Sequence, residues 1–349
     1  MIIPEESSGE RKKSRNLIKE VNWIIREKMT PRDNFFAFFK GEDYEWVPLN
    51  SDICMFNPEE FHDCKARGMV NQQAPFDRDT QAGGLGWFGV DWEYVPQVTG
   101  SMSKGRMFQD LEEWEEKLVW PNLDEYDWEG VKAKNADYLN TDKIIYTTVF
   151  CGFFERLISF VEFEDAALAL IDPDQEETVH KLFARLTDLY IDYIGRMHKY
   201  YNVELVEFHD DWGNQRAEMF SGSTLNEMII PYVKKIVDFC HENGIFFLQH
   251  SCGKIENVFE NIIESGADTW CGQEIEDMKY RLVQKYADRF IFQVGLTPND
   301  KMTIEETEKY TRDTLEMYRP YKVWFRYTPR VLRKEQCEVI DKILREYKR

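Results

Sequence analysis

The chain has 349 residues, 43% of them hydrophobic, and its 44 basic against 64 acidic residues give a net charge of −20 at pH 7. That apolar content fills a sizeable core and excludes a disordered chain, and the acidic balance argues against nucleic acid and anionic membrane, which both demand a basic footprint. Seven cysteines without a compact spacing pattern fit a reducing cytoplasm better than a disulfide framework.

The N-terminus lacks the charged-then-apolar profile of a signal peptide, and no apolar run reaches membrane-span length, so a cytoplasmic location is expected. Arg11 to Met29 reads as a charged amphipathic helix stopped by Thr30-Pro31. Residues 35–130 are irregular and rich in aromatic and turn residues. Within them, Gln81 to Pro96 is punctuated by glycines that lack the dinucleotide-binding spacing and its strand–turn–helix frame. Asp110–Lys117 reads as a short acidic helix and Pro121–Trp128 as a loop.

From about residue 144 the pattern alternates between strands and helices. Strands are predicted at Ile144–Phe150, Val203–His209, Ile245–His250, Thr269–Cys271, Phe290–Gly295 and Val323–Tyr327. Helices are predicted at Phe154–Ile171, Glu176–Tyr200, Leu225–Asn243, Ile255–Ser265, Met278–Tyr286 and Ile304–Tyr318. Strand–helix units with short links imply a parallel sheet with right-handed crossovers. At this length, and without a nucleotide fingerprint after an early strand, an α/β fold of the (β/α)8 TIM-barrel type is expected rather than an open sheet. The expected organisation is one domain, with residues 1–135 as an N-terminal extension packed on the barrel and 136–349 as its main part.

The most informative segment is Ile245-Phe-Phe-Leu-Gln-His-Ser-Cys-Gly253. An apolar run ends in His250 and Cys252, which at i and i+2 of a strand point to one side. Imidazole with thiolate suits zinc; a core cysteine beside a hydrogen-bonded histidine is the competing reading. Barrel active sites sit at the C-terminal ends of strands. There the sequence places His209, Asp210, Asp211 and Trp212, then Cys271 with Gln273 and Glu274, Gln293 with Gly295, and Arg326 with Tyr327.

Asp210-Asp-Trp-Gly-Asn-Gln215, Pro231, His250-Ser-Cys-Gly253 and Glu264-Ser-Gly-Ala-Asp268 resemble the uroporphyrinogen decarboxylase superfamily. Trp87 to Pro96, Glu113 to Asp124 and Phe154-Glu-Arg-Leu157 look more like its branch of corrinoid-dependent methyltransferases. The resemblance covers about residues 25–300. The decarboxylase carries an arginine-rich segment near its N-terminus, whereas the corresponding stretch here, Phe35 to Pro48, has no arginine. An acidic chain without that clamp is a poor host for a polyanion.

The resemblance therefore implies a methyltransferase of the ether-cleaving O-demethylase type, moving a methyl group from an aryl methyl ether to the cobalt(I) of a corrinoid protein and releasing a phenol. It implies zinc on His250, Cys252 and a cysteine near the last strand. That strand, Val323 to Pro329, has no thiol, so Asp211 or Cys271 is expected to complete the shell, with Cys337 as the other thiol. His209, Asp210, Asp211 and Tyr327 are candidates to protonate or orient the ether oxygen. Trp87, Phe88, Trp92 and Trp212 are candidates to wall the ring, and Arg326 to contact substrate. The expected partners are a cobalamin-bearing corrinoid protein and a small aromatic methyl ether, with a homodimer as an allowed assembly.

Each of these residues also has a plainer reading. Asp210 or Asp211 suits a helix cap, His209 a satisfied wall histidine, Cys271 a small apolar filler, the tryptophans a core and Arg326 an ion pair. A second set of zinc-type residues, Glu162, Glu177 and His198, falls on helices, with His198 at the opposite barrel end. Competing functions are a decarboxylase of uroporphyrinogen or a related acid, and a non-catalytic barrel stabilised by a metal.

Overall fold

A computed structural model describes residues 28–98, 100–273, 275 and 277–347. Its ten strands are β1 (Ile53–Met55), β2 (Gly84–Leu85), β3 (Asp91–Val95), β4 (Gly100–Ser103), β5 (Ile144–Val149), β6 (Val203–His209), β7 (Phe246–His250), β8 (Thr269–Cys271), β9 (Ile291–Gly295) and β10 (Val323–Arg326). Seven of them form one sheet in the order β1-β5-β6-β7-β8-β9-β10, and every pair is parallel. Strands buried on both faces read as continuous apolar runs, and β5 is buried at every position. Helices follow the strands in turn, giving an α/β TIM-barrel-like fold. The six strands predicted from sequence all form, with ends within a residue.

The sheet curls on itself. Trp324 on β10 donates its indole N–H to Thr269 Oγ1 on β8 at 3.1 Å, across the intervening β9. Asn50, just ahead of β1, laces that edge to the end of β10. Its Nδ2 donates to the Tyr327 carbonyl at 2.6 Å and its Oδ1 accepts from the Tyr327 N–H at 2.9 Å, as a neighbouring strand would do.

One end of the barrel is closed by a helix where irregular chain was expected. Thr30 caps Pro31–Lys40 by accepting from the Asp33 N–H, Pro31 opens it, and Gly41 at φ 73° ends it. Phe35 and Phe39 of this helix pack on both Phe246 at the start of β7 and Trp324 of β10. Those contacts fix which side chains face inward: Phe246, Leu248 and His250 on β7, and Trp324 and Arg326 on β10.

Three other expectations need correction. The short strands β2, β3 and β4 form an antiparallel sheet within the stretch read as irregular. Leu225–Asn243 is two helices, Gly222–Met228 and Ile230–Glu242, because Pro231 supplies no N–H to continue one. Phe153–Ala169 kinks at Glu162, φ 71°, where Phe160 and Val161 turn their carbonyls to the Met107 N–H and Arg106. The helix expected over Arg11–Met29 lies outside the described residues as far as 27, and Lys28 to Thr30 are not helical. Among the described residues, no helix is long and apolar enough to cross a membrane.

Candidate metal and active site

Parallel register sets His209 opposite His250, and His250 opposite Cys271, on three adjoining strands. The two imidazoles stack with centroids 4.0 Å apart. His250 Nδ1 lies 3.1 Å from Cys271 Sγ and 3.5 Å from Glu207 Oε1. Its Nε2 lies 3.2 Å from Cys252 Sγ and 3.6 Å from Asp211 Oδ1. Glu207 joins the group because it precedes His209 by two residues on β6 and so shares its face.

The loops after β6 and β7 hold this geometry. Asp211 Oδ1 accepts from the Cys252 N–H at 2.6 Å, and Ser251 Oγ accepts from the Trp212 N–H at 2.9 Å. Gly253 turns at φ 78°, and a Cβ there would lie 2.2 Å from the Gly213 backbone carbon. Only glycine lets the two loops approach so closely.

Burial disfavours every charged form here. It lowers both His209 and His250 to about 4, so each imidazole is neutral at pH 7 with a lone pair to offer. Burial, with the Asp211 carboxylate adding to it, pushes the Cys252 thiol up to about 12, and Cys271 rises well above its ordinary value. Such thiols ionise only against a cation. Zinc bound to nitrogen and sulfur puts tetrahedral neighbours about 3.5 Å apart, close to the separations around His250. Two groups, Glu207–His250–Cys271 and His209–Asp211–His250, have ligand atoms within 4.8 Å of one another. The donors therefore fit zinc. Because an imidazole offers an ion one nitrogen, the Cys271 side and the Cys252 side of His250 are alternative seats.

Behind the cluster, His209 Nδ1 pairs with Glu155 Oε1 at 2.8 Å, and Arg67 stands 3.5 Å from the other oxygen. Burial raises Glu155 to about 7 against the opposing pull of Arg67. A carboxylate on one ring nitrogen sets the tautomer and aims the other. The sequence reading missed Glu155 and Glu207 as site residues. Period-two spacing from His209 was the available signal for Glu207; Glu155 lies in the Phe154-Glu-Arg-Leu157 motif, with nothing local to assign it a role.

The structure brings together His209, Asp211, His250, Cys252 and Cys271, but not the remaining candidates. Asp210 is fully buried, its Oδ1 capping the Glu155 N–H and its Oδ2 accepting from the Trp212 indole, both at 2.9 Å. It is a helix cap rather than a group facing substrate. Tyr327 points away from the barrel interior and donates to Asp341 at 2.9 Å, with Cys337 on the same outer helix. Trp212 is enclosed between the loops.

Trp87, Phe88 and Trp92 belong to the N-terminal layer, where they meet Tyr126, Trp120 and Arg67 respectively. They build core, not a wall around His250. Arg326 does face inward, 5.5 Å from the Tyr146 ring centre. Glu162, Glu177 and His198 do not gather; they pair with Arg106, Lys181 and the Val203 carbonyl.

Residues 162–322 match the family model described as Uroporphyrinogen decarboxylase (URO-D). No curated protein matches the sequence. Solved structures with some likeness include TsXylA, an intracellular xylanase from Thermoanaerobacterium saccharolyticum, at 11% identity over 64% of this chain and 83% of that one, TM-score 0.37. The spore cortex-lytic enzyme SleL of Bacillus megaterium shares 11% identity over 64% of this chain and 63% of its own, TM-score 0.35. A xylose isomerase-like TIM-barrel protein from Mycobacterium smegmatis shares 13% over 62% and 76%, TM-score 0.32. Likeness at that level carries no argument about chemistry. The family match spans β6 to β9, the strands that carry the cluster.

Proposed function

We propose that this chain is a metal-assisted methyltransferase that takes the methyl group of an aryl methyl ether for the cobalt(I) of a separate corrinoid protein and releases a phenol. The observation that carries the reading is His250 with a thiol at hydrogen-bond distance on each ring nitrogen, at the C-terminal ends of adjoining strands. A decarboxylase acting on a polycarboxylate needs several available cations. Here Arg67 and Arg156 are already engaged by Glu155 and Asp63.

In the proposed reaction the C–O bond breaks with its electron pair staying on oxygen. Zinc held by His250 with Cys252 and Asp211, or with Cys271 and Glu207, would supply a Lewis acid against the charge developing there. The protein's own contribution is position and dryness. Glu155 holds His209 in one tautomer, and the stack holds His250. The Asp211 and Ser251 bonds fix the loop bearing Cys252.

The test is anaerobic incubation of the protein with a cobalt(I) corrinoid and a panel of methoxyarenes, with chromatography for the phenol. Phenol release that requires both corrinoid and protein is expected. Absence of phenol across the panel, or coproporphyrinogen formed from uroporphyrinogen, would reverse the reading.

A further inference from the structure

The barrel interior beside the metal cluster holds a second polar group without partners. Arg326 follows Trp324 by two residues on the inward face of β10, and its guanidinium lies 5.5 Å from the Tyr146 ring centre and 5.7 Å from that of Trp324. Strands β5 and β10 are not hydrogen-bonded neighbours, so the Tyr146 contact crosses the interior. Arg67, Arg156, Arg196, Arg281 and Arg289 each pair with an acid. Among the described residues Arg326 has neither an ion pair nor a side-chain hydrogen bond, in a chain of net charge −20. Tyr146 is fully buried and its hydroxyl has no hydrogen-bond partner. Gln293, directly opposite Trp324 on β9 and so inward-facing, has a buried Nε2 that is likewise unpartnered.

All three groups can donate hydrogen bonds. A guanidinium offers a planar fork, a phenol one O–H and a primary amide two N–H bonds. Buried donors without acceptors are costly, and a ligand that only accepts removes the cost. A carboxylate matches, since its two oxygens suit the fork of an arginine. Strand β8, which bears Cys271, is separated from β10 only by β9, and Trp324 reaches across to Thr269 on β8, so Arg326 and Cys271 lie on the same inward face of the sheet.

We propose that Arg326, the Tyr146 hydroxyl and the Gln293 amide form a subsite for a single carboxylate on the substrate ring, so that the ethers taken are methoxybenzoates rather than neutral methoxybenzenes. The methoxy half of this statement rests on the methyl-transfer reading; the carboxylate half does not.

The experiment is calorimetric titration of the purified protein with benzoate and with benzamide, its neutral counterpart of the same shape. The subsite predicts benzoate binding at least about ten-fold tighter than benzamide. It predicts that Arg326→Gln removes the preference, and that Tyr146→Phe, which deletes one oxygen and preserves packing, weakens benzoate about three- to ten-fold. Circular dichroism confirms that each variant is folded, and Tyr146→Phe carries the test if Arg326→Gln is not. Equal binding of benzoate and benzamide by wild type, or unchanged benzoate affinity in folded Arg326→Gln, overturns the subsite. A preference for benzoate in a protein that transfers no methyl group upholds the subsite and refutes the reaction. Methyl transfer that is as fast from anisole as from methoxybenzoate refutes the substrate class and upholds the reaction.

Discussion

The imidazoles of His209 and His250 lie face to face, with planes 12° apart. One ring is tied through Nδ1 to Glu155, and the other carries a thiol at each nitrogen. This stack divides the site into a ring that is held and a ring that is free to bind a metal.

The metal is expected at about one zinc per chain by elemental analysis of protein purified without chelator. His250→Ala should abolish it, because both seats use that ring. Cys252→Ala and Cys271→Ala then report which nitrogen is used, since only the thiol on the occupied side is a ligand. Zinc retained in His250→Ala contradicts the assignment.

Glu155 is a positioning residue. Glu155→Gln keeps the shape but no longer holds the His209 N–H with a charged acceptor, so methyl-transfer rate should fall about ten- to a hundred-fold. Zinc content should stay unchanged, because Glu155 meets the candidate ligands only behind the two seats, at His209 Nδ1 and the Asp211 backbone, and not at the ligand atoms around His250. Loss of zinc equal to that in His250→Ala would make Glu155 part of the metal site itself.

Asp210 is predicted to matter for stability. Asp210→Ala strands two N–H donors, the part-buried Glu155 amide and the buried Trp212 indole. The cost should be about 2–4 kcal/mol in urea unfolding. Asp210→Asn retains one acceptor and should cost less. A cost below about 0.5 kcal/mol for Asp210→Ala contradicts the capping role.

Asn50→Ala should loosen the seam between the first and last strands. Two hydrogen bonds to Tyr327 are lost, and about 1–3 kcal/mol with them. Hydrogen exchange at the Tyr327 amide should accelerate more than exchange within β6 and β7. Uniform acceleration would show that the lacing is not local.

One pH effect lies away from the site. The Asp268 carboxylate, 3.0 Å from His241 Nε2, raises the imidazole above its ordinary value. A raised folded value means stabilisation that is fully present below about pH 6.5 and lost as pH climbs through the folded value. Because the pair is part-exposed, the effect should stay below about 1 kcal/mol. His241→Gln should flatten the stability curve above about pH 6.5 relative to wild type.

How much of this was legible in the sequence depends on the range of the interaction. The alternation of apolar strands and capped helices after Ile144 is local, and six of the seven sheet strands followed from it. The missed β1 is three residues long and gains its strand character only from pairing with β5. His250 and Cys252 share a face by strand periodicity alone, so their meeting was readable. Period-two spacing puts Glu207 on the face of His209, but that this face meets His250, and that Cys271 does too, follows only from the register of adjoining strands. The tryptophans misled for the opposite reason. Large rings serve core and pocket alike, and only the fold shows that Trp87 and Trp92 lie in the N-terminal layer.

Methyl transfer to cobalt is read from the absorbance of a cobalt(I) corrinoid under strict anaerobiosis, with the zinc-loaded chain and 4-methoxybenzoate. The cobalt(I) band should disappear with matching growth of methylcobalamin and phenol in equal amount, at a rate about a hundred- to a thousand-fold lower in Cys252→Ala and Cys271→Ala combined. An unchanged spectrum with folded, zinc-loaded wild type, across this and neutral methoxyarenes, would contradict the proposed methyl transfer.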